Sequence, residues 1–382
     1  MISDGWRTAS LLALASPGGR RALSARRFDT RGPTRDVTTD NARLPTLEDV
    51  ARLAGVSRAT VSRVINGIRN VNPELHEVVW NAVNATGYVA NRAARSLVTR
   101  RTGTIALVVS DSESHDDDPF MSRFFSDPFF GRVVGGLMSA LRPAGIQLAL
   151  QLVGADQARG QLVGDLRQGQ ADGSVVLSLH PGDTLPQLLA DAGLAGVVIG
   201  RPARPVPISH VDVANDRGAA LAAEHLVSRG RRRVGMITGP IDVPASVDRS
   251  AGFRAAMARL GQSFVPSVIG NFTHESGERG MRELLADNPD LDGVFVANDL
   301  MAQGGLAALH ELGRRVPDEI AVVGFDDSSA ALAARPQLTT VRQPLEDMAA
   351  EAARLLMAHI DNPGRETAAV VFEPTLVVRA SS

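Results

Sequence analysis

The 382-residue chain contains no cysteine, which excludes disulfides, Cys-ligated zinc, iron–sulfur clusters and thiol nucleophiles and suits a reducing compartment. Lysine is absent too, and all 40 basic residues are Arg. No apolar run reaches the roughly 18 residues of a membrane-spanning helix, so no membrane partner is expected. Leu11–Ala15 is a short apolar stretch preceded by one basic residue, Arg7. A secretory signal is therefore not expected, and the cytoplasm is the expected location. Reaction signatures are missing as well. There is no G-x-G-x-x-G turn, Walker loop or G-x-S-x-G elbow, and His310-Glu311 lacks the second His of a zincin helix. No cofactor is expected.

What is present is a strong asymmetry of charge. Residues 1–101 hold 16 Arg against 8 acidic residues, a net of +8, while the remainder holds 24 Arg against 34, a net of −10. A basic front on an acidic body points to a phosphate-contacting module joined to a part that does not bind nucleic acid. GC-rich coding would explain Arg in place of Lys, but not where the charge lies. The length implies two or three domains. Residues 1–43 mix Arg, Ser, Thr, Gly and Pro without periodicity and read as a disordered tail.

From Thr46 to Gly87 the pattern is helical. Thr46 is an N-cap with Asp49 three residues on, a weaker capping box. Val50, Leu53 and Ala54 form the apolar stripe of the first helix, and Gly55 breaks it. Ser57 caps a second helix over Arg58–Asn66, whose buried face is Val61, Val64 and Ile65. Asn72-Pro73 opens a third with the stripe Leu75, Val78, Val79, Ala82 and Val83, ended by Gly87. Two short helices around Ala54-Gly55-Val56-Ser57 with a third behind them fit a helix-turn-helix, whose second helix enters the major groove of DNA. Arg58, Ala59 and Arg63 are its outward positions. Arg can pair bidentately with guanine, and Ala59 can offer an apolar contact to a thymine methyl. Ser57, Thr60, Ser62 and Asn66 suit phosphate oxygens. Residues 92–102 hold Arg92, Arg95, Arg100 and Arg101 around Ala93, Ala94 and Leu97, a linker of conditional helicity.

After Gly103 short β-branched runs (Thr104–Val109, Gln147–Val153, Ser174–Leu177, Gly196–Ile199, Val234–Thr238, Asp292–Ala297, Ile320–Gly324) alternate with helical stretches such as Gly218–Arg229, Ser246–Leu260, Leu300–Leu312 and Leu345–Ile360. Such alternation implies parallel sheets wrapped by helices, and some 280 residues implies two sub-domains with a cleft. Ligands of open parallel sheets bind beyond the carboxyl ends of strands. Arg249, Phe272, Asn298 and Asp326 each follow such an end. A guanidinium, an amide and a carboxylate can pair with neighbouring sugar hydroxyls, while a ring covers an apolar face. Asp326 or Asp327 could instead cap the next helix, Arg249 could be a surface ion pair, and Phe129 or Phe130 could be plain core.

The stretch Thr46-Leu47-Glu48-Asp49-Val50-Ala51, with Ala54-Gly55-Val56-Ser57, Thr60-Val61-Ser62-Arg63-Val64, Gly87-Tyr88 and Asn91-Arg92-Ala93-Ala94-Arg95-Ser96-Leu97, resembles the headpiece and hinge of the LacI/GalR family. The resemblance runs over residues 44–382. It implies an all-α helix-turn-helix headpiece (44–91), a hinge (92–102) and an α/β periplasmic-binding-protein-like core of two Rossmann-like sub-domains (103–382). It implies that the hinge pairs with its dimer mate in the minor groove, with Leu97 as a wedge between base steps and Asn91 and Ala94 among the DNA contacts. A large apolar residue amid Arg suits such a kink. It also carries over Arg249, Asn298 and Asp326 as effector contacts, Phe272 in place of a stacking aromatic that is often Trp, and Phe129 and Phe130 as the opposite wall.

The expected protein is a dimeric transcription regulator, most simply a repressor, acting at the nucleoid. Its expected partners are palindromic double-stranded operator DNA and a small effector, a carbohydrate by the chemistry of the site. Pro374–Ser382 reads as the final core strand with no heptad tail, which favours a dimer over a tetramer. The competing readings are a sugar-binding protein of the transport type, which would lack a reason for the headpiece, and an α/β enzyme. Between Ser112 and Asp127 the chain departs from the family pattern, and the run His115-Asp116-Asp117-Asp118 there is not expected to hold a metal, because adjacent residues on a Pro-containing loop rarely converge on one ion.

Overall fold

The computed structural model describes residues 44–65, 72–89, 101–110, 126–154, 156–178 and 182–382. The chain divides into two compact units, residues 1–89 and 90–382. Among the described residues no helix is long and apolar enough to cross a membrane.

Among its described residues the first unit has three helices, α1 (Leu47–Ala54), α2 (Arg58–Ile65) and α3 (Pro73–Thr86). Asp49 closes the capping box of α1, its carboxylate accepting from the Thr46 N–H at 2.9 Å and the Thr46 hydroxyl at 2.7 Å. Gly55 ends the helix at φ 65°, a left-handed conformation that glycine adopts without the strain a side chain would bring. The tight turn then delivers Ser57, whose Oγ accepts from the Thr60 N–H at 3.1 Å and starts α2. Val50, Ala51, Val61, Val64, Val79, Ala82 and Val83 form the small core. Leu53, Leu75 and Val78, expected in the buried stripes, are exposed. Three short helices enclose little volume, so only the innermost position of each turn is covered.

The second unit holds two six-stranded sheets. Sheet A has the order β11-β5-β4-β3-β1-β2, built from β1 (Thr104–Ser110), β2 (Gln147–Val153), β3 (Gly173–Ser178), β4 (Gly196–Ile199), β5 (Ser209–Val213) and β11 (Ala369–Phe372), all parallel. Sheet B has the order β12-β10-β9-β8-β6-β7, from β6 (Val234–Thr238), β7 (Ser267–Ile269), β8 (Gly293–Val296), β9 (Ala321–Asp326), β10 (Thr339–Arg342) and β12 (Thr375–Val377). Only β12 runs antiparallel to its neighbour.

The inner strands of each sheet are buried on both faces, which is why they read as continuous apolar runs. In β1, Ile105, Leu107 and Val109 face α4 (Pro128–Leu141) and α12 (Leu345–Asp361), while Ala106 and Val108 face α5 (Asp156–Arg167) and α6 (Leu185–Asp191). Sheet B repeats this with α7 (Asn215–Ser228) and α8 (Pro244–Arg259) on one face, and α9 (His274–Asp287) and α10 (Asp299–Glu311) on the other. The chain crosses between sub-domains three times: from β5 to α7, from β10 to α12, and from β11 to β12.

Candidate functional site

On the headpiece, the side chains of Arg58, Ala59 and Arg63 are exposed on α2. Arg58 Nε lies 3.2 Å from Glu48 Oε1, and Arg63 Nε donates to the Ala59 carbonyl at 3.3 Å. Such solvent-exposed contacts are weak and readily exchanged. Ser57 and Thr60 share a hydroxyl–hydroxyl bond of 2.9 Å at the first turn, and Ser62 is half-buried. Asn66, Asn91, Ala94 and Leu97 lie outside the described residues, as do His115 and Asp116–Asp118.

A cavity of about 600 Å³ opens between the two sheets of the core. All six sequence-derived candidates line it: Phe129 and Phe130 from the start of α4, and Arg249, Phe272, Asn298 and Asp326 from sheet B and its helices. The strand-end rule accounts for the gathering, because the carboxyl ends of both sheets face this space. Phe129 and Phe130 meet edge to face at 5.5 Å, and Phe130 also packs into the core. Arg249 lies within α8 and is buried, not a surface ion pair.

The polar groups form one connected chain. Asp212, at the end of β5, accepts from Asn215 Nδ2 at 3.3 Å. Asn215 Oδ1 accepts from Arg249 Nε at 2.8 Å, and Arg249 Nη1 donates to the Ala297 carbonyl at 2.7 Å and stands 3.6 Å from Asp326 Oδ1. Gln343 Nε2 donates to the same Asp326 oxygen at 2.5 Å. The guanidinium also sits 3.7 Å above the Phe325 ring. Sequence reasoning missed Asp212, Asn215 and Gln343, which stand on or beside the crossovers from β5 and β10.

Burial dominates the electrostatics. It pushes the Asp326 carboxyl up to about 7, against the pull of Arg249 and with the repulsion of Asp127. Burial likewise raises Asp212 and Asp299, and it lowers the Arg249 guanidinium despite the surrounding carboxylates of Asp326, Asp212, Asp299 and Asp127. Asp299 works internally, its carboxylate accepting from the Thr340 hydroxyl at 2.5 Å and the Ser328 N–H at 2.7 Å.

Backbone strain marks the same place. Among the described residues the non-glycine residues at positive φ are Phe272 (69°), Asp326 (113°) and Asp327 (53°). Each such conformation costs on the order of 1–3 kcal/mol and persists where the surroundings over-determine it. Asn298 supplies part of that: its Nδ2 donates to the Phe272 carbonyl at 3.1 Å while its Oδ1 caps α10 by accepting from the Met301 N–H at 2.9 Å. Asp327 is held by Arg342 and Arg379 at 2.6 and 2.5 Å, and Ser328 caps the short helix that follows.

Comparison with known proteins agrees with both units. Residues 46–91 match the model of bacterial regulatory proteins of the lacI family, and residues 223–382 match the periplasmic binding protein-like domain. The HTH-type transcriptional regulator CelR of Thermobifida fusca is 44% identical over 347 residues, 90% of this chain and 99% of CelR. The HTH-type transcriptional regulator GalR of Escherichia coli K12 is 34% identical over 88% of this chain and 96% of GalR. The solved structure of a transcriptional regulator CelR–cellobiose complex is 42% identical, with a TM-score of 0.68 over 88% of this chain and 100% of that one. These relatives are regulators that act on transcription, not enzymes or transport proteins. The chain is accordingly a DNA-binding transcriptional regulator and belongs to the lacI family.

Proposed function

We propose that the chain is a homodimeric repressor of palindromic operators whose DNA affinity is set by a small carbohydrate in the cavity between the sub-domains. It works in the cytoplasm, on the nucleoid. In this reading α2 enters the major groove with Arg58, Ala59 and Arg63 at base edges and Ser57, Thr60, Ser62 and Asn66 at phosphates. Residues 92–102 form the hinge, with Asn91 and Ala94 as contacts and Leu97 as the minor-groove wedge. Phe129, Phe130, Arg249, Phe272, Asn298 and Asp326 hold the effector.

The observation that carries the reading is the cavity: aromatic faces on two sides of a chain of charged and amide groups, in a volume within the range of small-molecule sites. The relative solved with cellobiose is similar over nearly the whole chain, and this supports a disaccharide of that kind as the effector. The test is calorimetric titration of cellobiose and a panel of mono- and disaccharides, followed by operator binding with and without the sugar that binds. The expected result is one preferred sugar that changes operator affinity. A protein that binds operator while no sugar binds or alters that binding would overturn the reading.

A further inference from the structure

The hydrogen-bonding inventory of the cavity says more than its shape. Asp212 is buried and lines the cavity. Its Oδ1 accepts from the Val213 N–H at 2.8 Å and from Asn215 Nδ2. Its Oδ2 has no partner among the described residues and is not sealed from solvent. The two cations that act on Asp212, Arg249 and Arg201, are by contrast engaged. Arg249 has committed Nε and Nη1 to Asn215, Ala297 and Asp326. Arg201, on the turn after β4, is held by both carboxylate oxygens of Asp248 at 2.9 and 2.7 Å. Arg279, farther along α9, is exposed and has no ion pair among the described residues. The inner wall thus sets the carboxylates of Asp127, Asp212 and Asp326 around the one guanidinium of Arg249, so the wall is net negative and Asp212 Oδ2 is an acceptor to spare.

A ligand matching that wall brings hydroxyl donors and no negative charge. We infer that Asp212 is a further effector contact, accepting from a ligand hydroxyl through Oδ2, and that it makes the cavity select an uncharged sugar over an anionic one. The inference rests on the carbohydrate reading above and adds to it the charge class of the ligand. Placing an anion against this carboxylate weakens binding, because like charges in a desolvated site repel strongly.

The experiment is calorimetric titration of the full-length protein at pH 8 with three probes: cellobiose, cellobionate (carboxylate at the former reducing end) and 6′-phosphocellobiose (phosphate on the other residue). The two anions carry charge at opposite ends, so one of them presents it to Asp212 whichever way the sugar lies. The wild type should bind that anion about a hundredfold more weakly than cellobiose. Asp212→Asn, which keeps the shape and removes the charge, should weaken cellobiose about tenfold and shrink the discrimination to less than about tenfold. Asp212→Glu should retain the discrimination. Circular dichroism melting checks the fold, and Asp212→Ser is read in the same way if Asn is not tolerated. Both anions binding within about tenfold of cellobiose, or Asp212→Asn leaving all three affinities unchanged, would overturn the inference while the sugar reading stood. Wild-type protein that binds none of the three, nor any other sugar, would overturn both.

Discussion

Replacing Asp326 by Asn should alter the pH dependence of stability in a direction fixed by the geometry. The carboxyl is buried, accepts from Gln343 and faces Arg249, yet burial outweighs those contacts and moves it from an ordinary value near 3.8 up to about 7. Between those values the folded protein holds a proton that the unfolded chain has released, so stability falls as pH rises through the interval and is level above it. Each tenfold in proton affinity is worth about 1.4 kcal/mol. The full displacement corresponds to roughly 4 kcal/mol, more than half of which falls between pH 5 and pH 8. Asn does not titrate, and groups that do not face Asp326 contribute equally to both proteins. Urea unfolding followed by circular dichroism at pH 5, 6, 7 and 8 should therefore show the variant gaining on wild type by about that amount. A difference that stays constant over the range would mean Asp326 is ionised throughout and that Arg249 fully offsets its burial.

Three further outcomes follow from particular residues. Arg63→Ala should cost roughly 1–3 kcal/mol on operator and much less on scrambled DNA at the same salt, and equal losses would make Arg63 a phosphate contact. Leu97→Ala should remove most of the operator bend, read by energy transfer between dyes on the DNA ends, and an unchanged angle would place Leu97 in ordinary packing. Gly277→Ala should destabilise the core by about 3 kcal/mol in urea unfolding, because a Cβ there would strike the Met301 backbone where α9 and α10 cross. A loss below about 0.5 kcal/mol would mean the crossing has room to give.

Many inner strands of the core were legible because burial on both faces turns parallel strands into apolar runs, and β4 and β6 begin and end where their residues say. β5 was not, since Ser209-His210-Val211-Asp212-Val213 breaks its apolar run with a half-buried His and the buried Asp212, which the cavity and Asn215 accommodate. Missing β5 concealed Asp212 and Asn215, although the strand-end rule that found Asn298 and Asp326 would have found them. The same rule applied to Gly196–Ile199 points to Arg201. In the headpiece the caps at Thr46, Ser57 and Asn72 were readable because they are local. The exposure of Leu53, Leu75 and Val78 was not, since a helical stripe says which face is apolar but not how much of it three short helices can cover.

One helix ties the cavity to the root of the linker. α12 starts beside Gln343, which holds Asp326, and its first turn gives Leu345 and Met348 to the cavity wall. Arg132 fastens that start, donating to Glu346 at 2.7 and 2.8 Å and to the carbonyls of Asp326 and Gln343 at 2.7 and 3.1 Å. At the far end, about 25 Å away for 17 residues, Arg101 donates to Asp361 at 2.6 Å and to the Ile360 carbonyl at 3.0 Å. Such an exposed pair adds little stability, so its contribution is positional: it fixes where the chain enters the core after residues 92–100. A displacement of Asp326 or Gln343 must either be absorbed within a helix packed along its length on sheet A or reach Arg101. An effector shifts a conformational equilibrium only through contacts that differ between the states, and DNA must then shift effector affinity by the same factor. Of the described elements, α12 runs from the cavity wall to Arg101, so an effector and DNA bound as proposed would bear on one helix, one at each of its ends.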